Sequence, residues 1–420
     1  MPVRRWFRRR PPFRPTRRGW AVAVVAVVVL IAAAVFDRRE GFIVAVFLLT
    51  LLIVSTVFVV ARRAGLVVSR RLSSDILSVG EDAAVVLDVR TDTWDSSISR
   101  WRDVVPESFG RPPMGDAHVL TSASVGGSVR ATYRVRPRRR GEFVLGPLVV
   151  TREDPFGLVS AERSSTGRSD VVVTPRVFPL VPSELIQASG EGARHEHRMS
   201  SHPRVDELIA REYRAGDPMR RIHWRATARR GELMVRQEEQ EVDPAVILVL
   251  DTGERVDGPR IDPGMFEHMV EMAASIAVHT LAAGFRLTLV ESVPRDTDAA
   301  RRFEPSQSAD VLKRLAVVAP IRPDDDTPDI AVVTRDVLDR AGAPVPVVAV
   351  LGDGGVTTTR RLGPLARLAD PAIAFLPTVD GGAAVLRGAG WVTGALDPER
   401  AVPEIWNDTV LLDSAVGGPR

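Results

Sequence analysis

The sequence predicts a multi-domain membrane protein: a two-helix transmembrane hairpin, then an all-β sandwich of immunoglobulin-like type, then a doubly wound α/β domain. Three observations predict this order. Two long apolar runs lie near the N-terminus, the middle of the chain consists of short β-rich runs between turn signals, and apolar strands alternate with helical patterns in the last part. The chain has 420 residues, which is enough for several units with cores of their own.

The predicted hairpin consists of the apolar runs 20–36 and 41–61, separated by the net-neutral loop 37–40. Each run is long enough to cross a bilayer. Residues 1–19 contain eight arginines and no acid. Four arginines follow the second run: Arg62, Arg63, Arg70 and Arg71. Positively charged flanks stay in the cytoplasm, so we expect a multi-pass protein of the inner or plasma membrane with both termini and the whole body after residue 62 in the cytoplasm.

The predicted β-sandwich covers residues 62–182. Its strand candidates are the runs 84–89, 129–135, 142–145, 148–150 and 171–173. Gly146-Pro147 and Asp154-Pro155 are typical turn pairs between such runs. Short strands separated by turn signals at this spacing are typical of a sandwich. In the turn 154–158 we expect Phe156 and Leu158 to pack into the sandwich.

Residues 183–240 form a linker and a dense charged motif, and the α/β domain is expected at 241–420. Its predicted strands are 246–250, 286–290, 345–351 and 372–376, and its predicted helices are 265–283 and 360–368. Continuous apolar strands are expected where both faces of a parallel sheet are covered. Their alternation with helices predicts a doubly wound sheet.

Composition excludes several classes of function. The chain has no cysteine, which excludes disulfides, thiolate zinc sites and cysteine nucleophiles. The arginines of residues 1–19 contribute more than the whole net charge of +3, so the rest of the chain is mildly acidic and nucleic acid is not an expected partner. The sequence also lacks the phosphate-binding loop, the zinc-protease motif and the serine nucleophile elbow. We therefore assign no catalytic residue.

The charged motif at 211–236 reads REYRAGDPMRRIHWRATARRGELMVR. We expect a turn at 216–218, a helix over 219–230 and a terminating glycine at Gly231. Asp217 is placed to cap that helix and Trp224 is expected to be buried. The arginines of the helix fit an anion or acidic-partner site, but pairing with the acids that follow them is the interpretation we favour.

The motif closely resembles the signature of the bacterial domain-of-unknown-function 58 (DUF58) family. The upstream stretch RRRGEFVLGPLVVTREDPFGL (138–158) and the two-span N-terminus are also similar to that family. The resemblance implies that the partner is a MoxR-type AAA+ ATPase and that the C-terminal domain is von Willebrand A-like. The positions that match the family motif, and that we take as candidates for partner binding, are Tyr213, Gly216, Asp217, Arg220, Arg221, His223, Trp224, Arg229 and Glu232.

The von Willebrand A-like resemblance also implies a metal site built on Asp-x-Ser-x-Ser after the first strand. Here the sequence is Asp251-Thr252-Gly253-Glu254-Arg255, so glycine and arginine replace both hydroxyl ligands. Asp353 resembles the distal acid of such sites. We therefore treat Asp251, Thr252 and Asp353 as a degenerate site at which Mg²⁺ is a possible ligand, and we expect no cofactor.

Three functional hypotheses remain open on the sequence. The first is a membrane-anchored cytoplasmic adaptor or scaffold that works with a MoxR-type AAA+ ATPase in the maturation of envelope or protein complexes, without catalysis of its own. The second is an enzyme of unknown reaction that uses the 213–235 motif, with Asp217 and His223 as acid–base groups. The third is a binding module for anions or lipids that works through the arginines.

Overall fold

The structure is a computed structural model. It describes residues 13–61, 66–74, 76–91, 98–111, 114–116, 128–183, 186, 210–212, 222, 224–236, 244–254, 261–294, 298–323, 327–352, 356–377 and 381–416. The chain forms two compact units, Met1–Thr174 and Pro175–Arg420. The division falls earlier than the sandwich boundary that we expected at residue 182.

The first unit begins with two long antiparallel helices, α1 (Arg17–Val35) and α2 (Arg39–Ala61). They have 19 and 23 residues, and both are apolar enough to cross a membrane. At a rise of 1.5 Å per residue they are about 28 and 34 Å long, close to the thickness of a hydrocarbon core. Small residues line their contact: Ala26 and Ala45 are fully buried, and a Cβ on Gly41 would lie only 2.7 Å from the Cβ of Ala33. Small side chains allow two apolar helices to approach closely.

The β-rich part of this unit has eleven strands among the described residues. They are β1 (Arg14–Pro15), β2 (Leu66–Leu72), β3 (Leu77–Ser78), β4 (Ala83–Thr91), β5 (Ile98–Asp103), β6 (Met114–Asp116), β7 (Ser128–Val135), β8 (Gly141–Leu145), β9 (Leu148–Glu153), β10 (Val159–Ser164) and β11 (Ser169–Thr174). They form sheets of order β1-β10-β9-β5-β6, β2-β4-β7 and β3-β11-β8. One apolar core collects residues from all three sheets, including Leu87, Val150 and Val173. The expected β-rich domain is therefore present.

A buried ion pair crosses this core. The guanidinium of Arg70 on β2 donates to both carboxylate oxygens of Asp103 on β5, at 2.9 and 2.6 Å, and neither side chain is exposed. Arg70 also donates to the carbonyl of Gly167 at 2.9 Å, and the hydroxyl of Tyr133 donates to Asp103 at 2.6 Å. Burial raises the pKa of Tyr133 above its ordinary value, with Asp103 adding to the effect, so the phenol stays protonated and remains a donor. Arg70, one of the flanking arginines of the hairpin, is thus a structural residue.

The Asp154–Leu158 turn (residues 154–158) lies at the start of α1. The carbonyl oxygens of Gly157 and Leu158 accept hydrogen bonds from the hydroxyl and the backbone N–H of Thr16, at 2.6 and 2.9 Å. Leu158 is buried, and it clusters with Val22 and Val59 of the two helices. Phe156 is 58% exposed. The expectation that Phe156 and Leu158 pack into the sandwich is therefore wrong, because the turn folds against the helices, where Leu158 is buried, and leaves its tip outward.

The second unit has a six-stranded sheet with helices on both faces. Its strands are β14 (Ala245–Leu250), β15 (Arg286–Glu291), β16 (Ala300–Phe303), β17 (Val345–Val350), β18 (Ala369–Leu376) and β19 (Val392–Ala395), and a separate pair consists of β12 (Ala210–Glu212) and β13 (Met234–Arg236). The helices are α3 (Trp224–Arg230), α4 (Pro263–Ala282), α5 (Ser308–Val317), α6 (Ile330–Ala341), α7 (Val356–Leu362), α8 (Gly382–Gly388) and α9 (Val402–Val416).

The order of the large sheet is β16-β15-β14-β17-β18-β19, with β16 antiparallel and the other strands parallel. Counted along the chain this is the order 3-2-1-4-5-6 of a doubly wound fold. Alternate residues of β14 enter different cores. Leu248 packs in the cluster that contains Met269 of α4 and Trp406 of α9, whereas Val249 packs in the cluster that contains Leu338 of α6. Both faces are therefore covered, as the apolar run predicted.

Two details differ from the expectation. The helix expected at 360–368 is α7 followed by a 3-10 helix, Gly363–Arg367, because Pro364 cannot continue an α-helix without losing a hydrogen bond. The stretch 175–182, which we expected in the sandwich, belongs to the second unit and is bonded to its helices α4 and α9. The N–H of Phe178 donates to Ser275 Oγ at 3.0 Å, and Trp406 Nε1 donates to the carbonyl of Val181 at 2.9 Å.

Loss of the buried carboxylate at position 103 should destabilise the first unit strongly. Asp103→Ala leaves the Arg70 guanidinium buried without its counter-ion, which typically costs about 3–5 kcal/mol of unfolding free energy. Denaturant unfolding of the full chain in detergent, followed by circular dichroism, measures this. The matched control is Glu162→Ala, which removes the half-exposed pair with Arg102 and should cost ~0–1 kcal/mol. Equal effects of the two changes would contradict the assignment.

Candidate functional site

The carboxyl edge of the large sheet contains the first candidate site. α4 follows β14 and packs on one face of the sheet, whereas α7 follows β17 and packs on the other face. The crevice between these two strands is therefore the topological switch point, where doubly wound folds bind ligands. Asp251 directly follows β14. Asp353, the expected distal acid, lies outside the described residues.

Asp251 is held by a small hydrogen-bond network. Its side chain is nearly buried, and Oδ1 accepts hydrogen bonds from Ser292 Oγ at 2.9 Å and from the N–H of Gly253 at 3.1 Å. Ser292 in turn accepts from the N–H of Thr252 at 2.7 Å. The sequence interpretation missed Ser292. Its signal was its position directly after β15, since the carboxyl ends of neighbouring parallel strands meet at one edge of the sheet.

The hydroxyl of Thr252 serves the backbone. Thr252 is fully buried, and its Oγ1 both accepts from the N–H and donates to the carbonyl of Val293, each at 3.0 Å. Gly253 contributes no side chain. Among the described residues no group of three His, Cys, Asp or Glu side chains is arranged to hold a metal ion. Within the described part of the chain, Asp251 and Ser292 offer one carboxylate and one hydroxyl at this edge, so most of the octahedral positions of a Mg²⁺ ion would be left to water.

The DUF58-like motif contains the second candidate site, a strand–helix–strand unit. Strand β12 pairs antiparallel with β13, with Glu212 opposite Met234, and α3 lies between them in the chain. Of the motif residues predicted as a site, Trp224, Arg229 and Glu232 are described, and all three are exposed. The others lie outside the described residues: Tyr213, Gly216, Asp217, Arg220, Arg221 and His223.

The end of α3 is as predicted. Gly231 has φ of 79°, a left-handed conformation that suits glycine, and its N–H donates to the carbonyl of Thr227 at 2.9 Å. The start differs from the expected helix over 219–230, because Ile222 lies in a β-bridge and the helix begins at Trp224. Thr227 Oγ1 also accepts from the N–H of Met234 at 3.0 Å, which ties α3 to β13.

The burial expected of Trp224 is wrong. Among the side chains that the structure describes in this unit, Ile222 and Met234 are buried, at 7% and 1% exposure, whereas Trp224 is 67% exposed and Leu233 is 43% exposed. A helix of seven residues that is bonded to a short strand can bury few side chains, and among the described ones Ile222 and Met234 are those buried. The unit therefore presents a large aromatic side chain and charged neighbours to its surroundings.

The fold and these sites define a protein with two apolar N-terminal helices, a β-rich domain and an α/β unit that carries the motif. Residues 209–364 match the family model described as "Protein of unknown function DUF58". This confirms the resemblance carried by the motif: the segment 209–364 is similar to the DUF58 family. A comparison with curated proteins found no match.

Among solved structures, the chain is similar to the CARDB domain of a Pyrococcus furiosus protein. The crystal structure of that domain, a complex with di-metal ions, has 12% identity and a TM-score of 0.18, with 26% of this chain and 87% of that chain covered. Its solution NMR structure gives 13% identity and the same TM-score, with 26% and 94% covered. Likenesses of this degree carry no argument about the fold or the site.

Restoring the two missing hydroxyls should create a Mg²⁺ site. A Cβ on Gly253 would lie 3.4 Å from Asp251 Oδ1 and 3.5 Å from Ser292 Oγ, which is ordinary van der Waals contact, so serine fits there. We expect the full-length protein in detergent to show no Mg²⁺ site of micromolar affinity by calorimetry, and Gly253→Ser with Arg255→Ser to gain one.

The control for that gain is the same double variant with Asp251→Ala, which should lose it. A one-to-one Mg²⁺ isotherm in the unmodified protein that Asp251→Ala abolishes would show instead that the natural residues already form a metal site.

Proposed function

We propose that this protein is a membrane-anchored cytoplasmic adaptor that works with a MoxR-type AAA+ ATPase in the maturation of envelope or protein complexes, and that it has no catalytic activity of its own. The observation that carries the proposal is the exposure of Trp224. In the segment that matches the family, the one tryptophan is 67% exposed. Tryptophan and arginine dominate the binding energy of protein interfaces when a partner covers them.

The surroundings of Trp224 support a protein partner. Leu233 adds apolar surface, and Arg229, Arg230 and Glu232 are exposed on the same short unit. An apolar centre with a charged rim is the usual composition of a protein–protein interface. The resemblance to the DUF58 family supplies the partner class, since its members are typically encoded beside MoxR-type ATPases.

Membrane anchoring follows from the two apolar helices. A helical hairpin with exposed apolar side chains along both helices, such as Val28 and Ile53, is suited to hydrocarbon surroundings. The arginines on both outer flanks support a cytoplasmic position for the ends of the hairpin and for the body that follows it. A cytosolic ATPase would then reach the body without crossing the membrane.

The finer fold assignments belong to the same proposal. We assign the β-rich domain to the immunoglobulin-like sandwiches and the α/β unit to the von Willebrand A-like domains. The strand order 3-2-1-4-5-6 and the position of Asp251 after the first strand support the second assignment. The crevice at the switch point would serve as a binding surface and not as a catalytic metal centre, since glycine and arginine stand at the hydroxyl positions.

Truncation of Trp224 should separate binding from folding. Because the side chain is exposed, Trp224→Ala should change the unfolding free energy by no more than about 0.5 kcal/mol. The same change should weaken binding of the MoxR-type ATPase from the same genome about 30-fold, equivalent to ~2 kcal/mol for an interface hot spot. Binding of the purified ATPase to the full chain in nanodiscs, measured by biolayer interferometry, gives this number.

Two controls make the result specific. Ile222→Ala removes a buried side chain of the same unit and should cost about 2–5 kcal/mol of stability. Val332→Ala changes an equally exposed residue on α6 and should leave both stability and binding unchanged. Binding that survives Trp224→Ala, or a catalytic activity that disappears with it, would contradict the adaptor function.

A further inference from the structure

The Asp154–Leu158 turn is built to hold its tip in one position. Asp154 is buried, and its two carboxylate oxygens accept from the N–H groups of Phe156 at 3.0 Å and Val159 at 2.6 Å. The N–H of Gly157 closes the turn on the carbonyl of Asp154 at 2.9 Å, with φ of 66° at Gly157. Phe156 is therefore exposed on a well-determined backbone and not on a loose loop.

The same turn is fixed to the first residues of α1. Thr16 Oγ1 donates to Gly157 and accepts from the N–H of Gly19, so one hydroxyl both caps the helix and binds the turn. A Cβ on Gly19 would lie 2.0 Å from the carbonyl oxygen of Leu158, so this contact requires glycine. Strand β1 continues the contact by pairing with β10, Pro15 opposite Val159. These contacts fix the position of the turn along α1.

This position is at the end of the hairpin where the chain enters α1 and leaves α2. Leu158 clusters with Val59, close to the end of α2, and with Val22, in the second turn of α1. If α1 and α2 span a bilayer, Phe156 lies at the boundary between hydrocarbon and headgroups on that side. The inference rests on the proposed membrane anchoring.

The side chains at this level match such a boundary. Besides Phe156, two other aromatic residues are exposed, Trp20 at 63% and Phe13 at 37%. Arg17 and Arg18 are exposed beside them, and the guanidinium of Arg18 lies 3.8 Å from the position of a Cβ on Gly157. Aromatic rings collect at membrane interfaces, and arginine guanidiniums bind anionic headgroup phosphates while their stems cover apolar surface.

We propose that the Asp154–Leu158 turn is a third membrane contact: Phe156 inserts its ring at the headgroup–acyl boundary of the leaflet, and Arg17 and Arg18 bind the phosphates of anionic lipids beside it. The contact belongs to the β-rich domain and not to the hairpin. It holds this domain against the bilayer surface in one orientation.

Because the chain has no cysteine, single cysteines can report the depth of chosen residues. The full chain is reconstituted in phosphatidylcholine vesicles with or without phosphatidylglycerol, and a nitroxide is attached at Phe156→Cys. Depth is read from relaxation by oxygen, which enters the bilayer, against a nickel chelate, which does not. The controls are Val28→Cys, 58% exposed in the middle of α1, and Val144→Cys, 47% exposed on β8.

The expected result is that the label at 156 is several-fold less accessible to the nickel chelate than the label at 144, and shallower than the label at 28. A label at 156 as accessible as that at 144, with 28 inside the bilayer, would overturn the inference and leave the anchoring intact. A label at 28 that is open to the chelate would instead overturn the anchoring itself.

The role of the arginines has its own test. Phosphatidylglycerol should draw the label at 156 deeper, and Arg17→Gln with Arg18→Gln should abolish that response while the label at 28 stays unchanged. The matched control pair is Arg335→Gln with Arg340→Gln on α6, which should leave the lipid response as it is. An insertion depth that is the same in both lipids would overturn the binding of anionic headgroups.

Discussion

The joint between the first apolar helix and the Asp154–Leu158 turn is the constraint on which the N-terminal unit depends. Thr16 caps α1 and binds the turn with the same hydroxyl, and Gly19 leaves space for the carbonyl of Leu158. Residues 62–65 connect the hairpin to the β-rich domain along the chain. This joint adds a second connection, and the buried pair of Arg70 and Asp103 fixes the strand that follows the hairpin.

In the α/β unit, the doubly wound order brings Asp251 and Ser292 together from two strands that are 35 residues or more apart in the chain. Within this network Ser292 donates to Asp251, and the hydroxyl of Thr252 donates to the carbonyl of Val293. Such an arrangement stabilises the edge of the sheet. The partner surface that we propose is instead the exposed part of the family motif, which includes Trp224.

The elements that the sequence predicted are those with a strong local pattern of apolar residues. The two apolar helices and the run that forms β14 are each continuous in apolar residues, so their type and approximate bounds follow from the sequence alone. Helices α5 and α6 were not predicted from the sequence, although their buried residues recur at helical spacing, as Val311 and Leu315 do on α5 and Ile330 and Thr334 on α6.

The failures at the candidate sites have a different cause. Residue type predicted burial for Trp224 and Phe156, but exposure is decided by which face of a short element packs against the fold, and no local pattern contains that information. Ser292 depends on strand order in the same way. The close resemblance to the DUF58 signature predicted the match of residues 209–364 to that family from one motif. The exposure of Trp224 in that motif could be read only from the structure.

The orientation of the body tests the account most directly, since an adaptor for a cytosolic ATPase must lie in the cytoplasm. Single cysteines at Arg38, in the loop between α1 and α2, and at Val332, exposed on α6, are treated with a membrane-impermeant maleimide in intact spheroplasts. The account predicts labelling at position 38 without lysis and at position 332 only after lysis. Labelling at 332 in intact spheroplasts would contradict it.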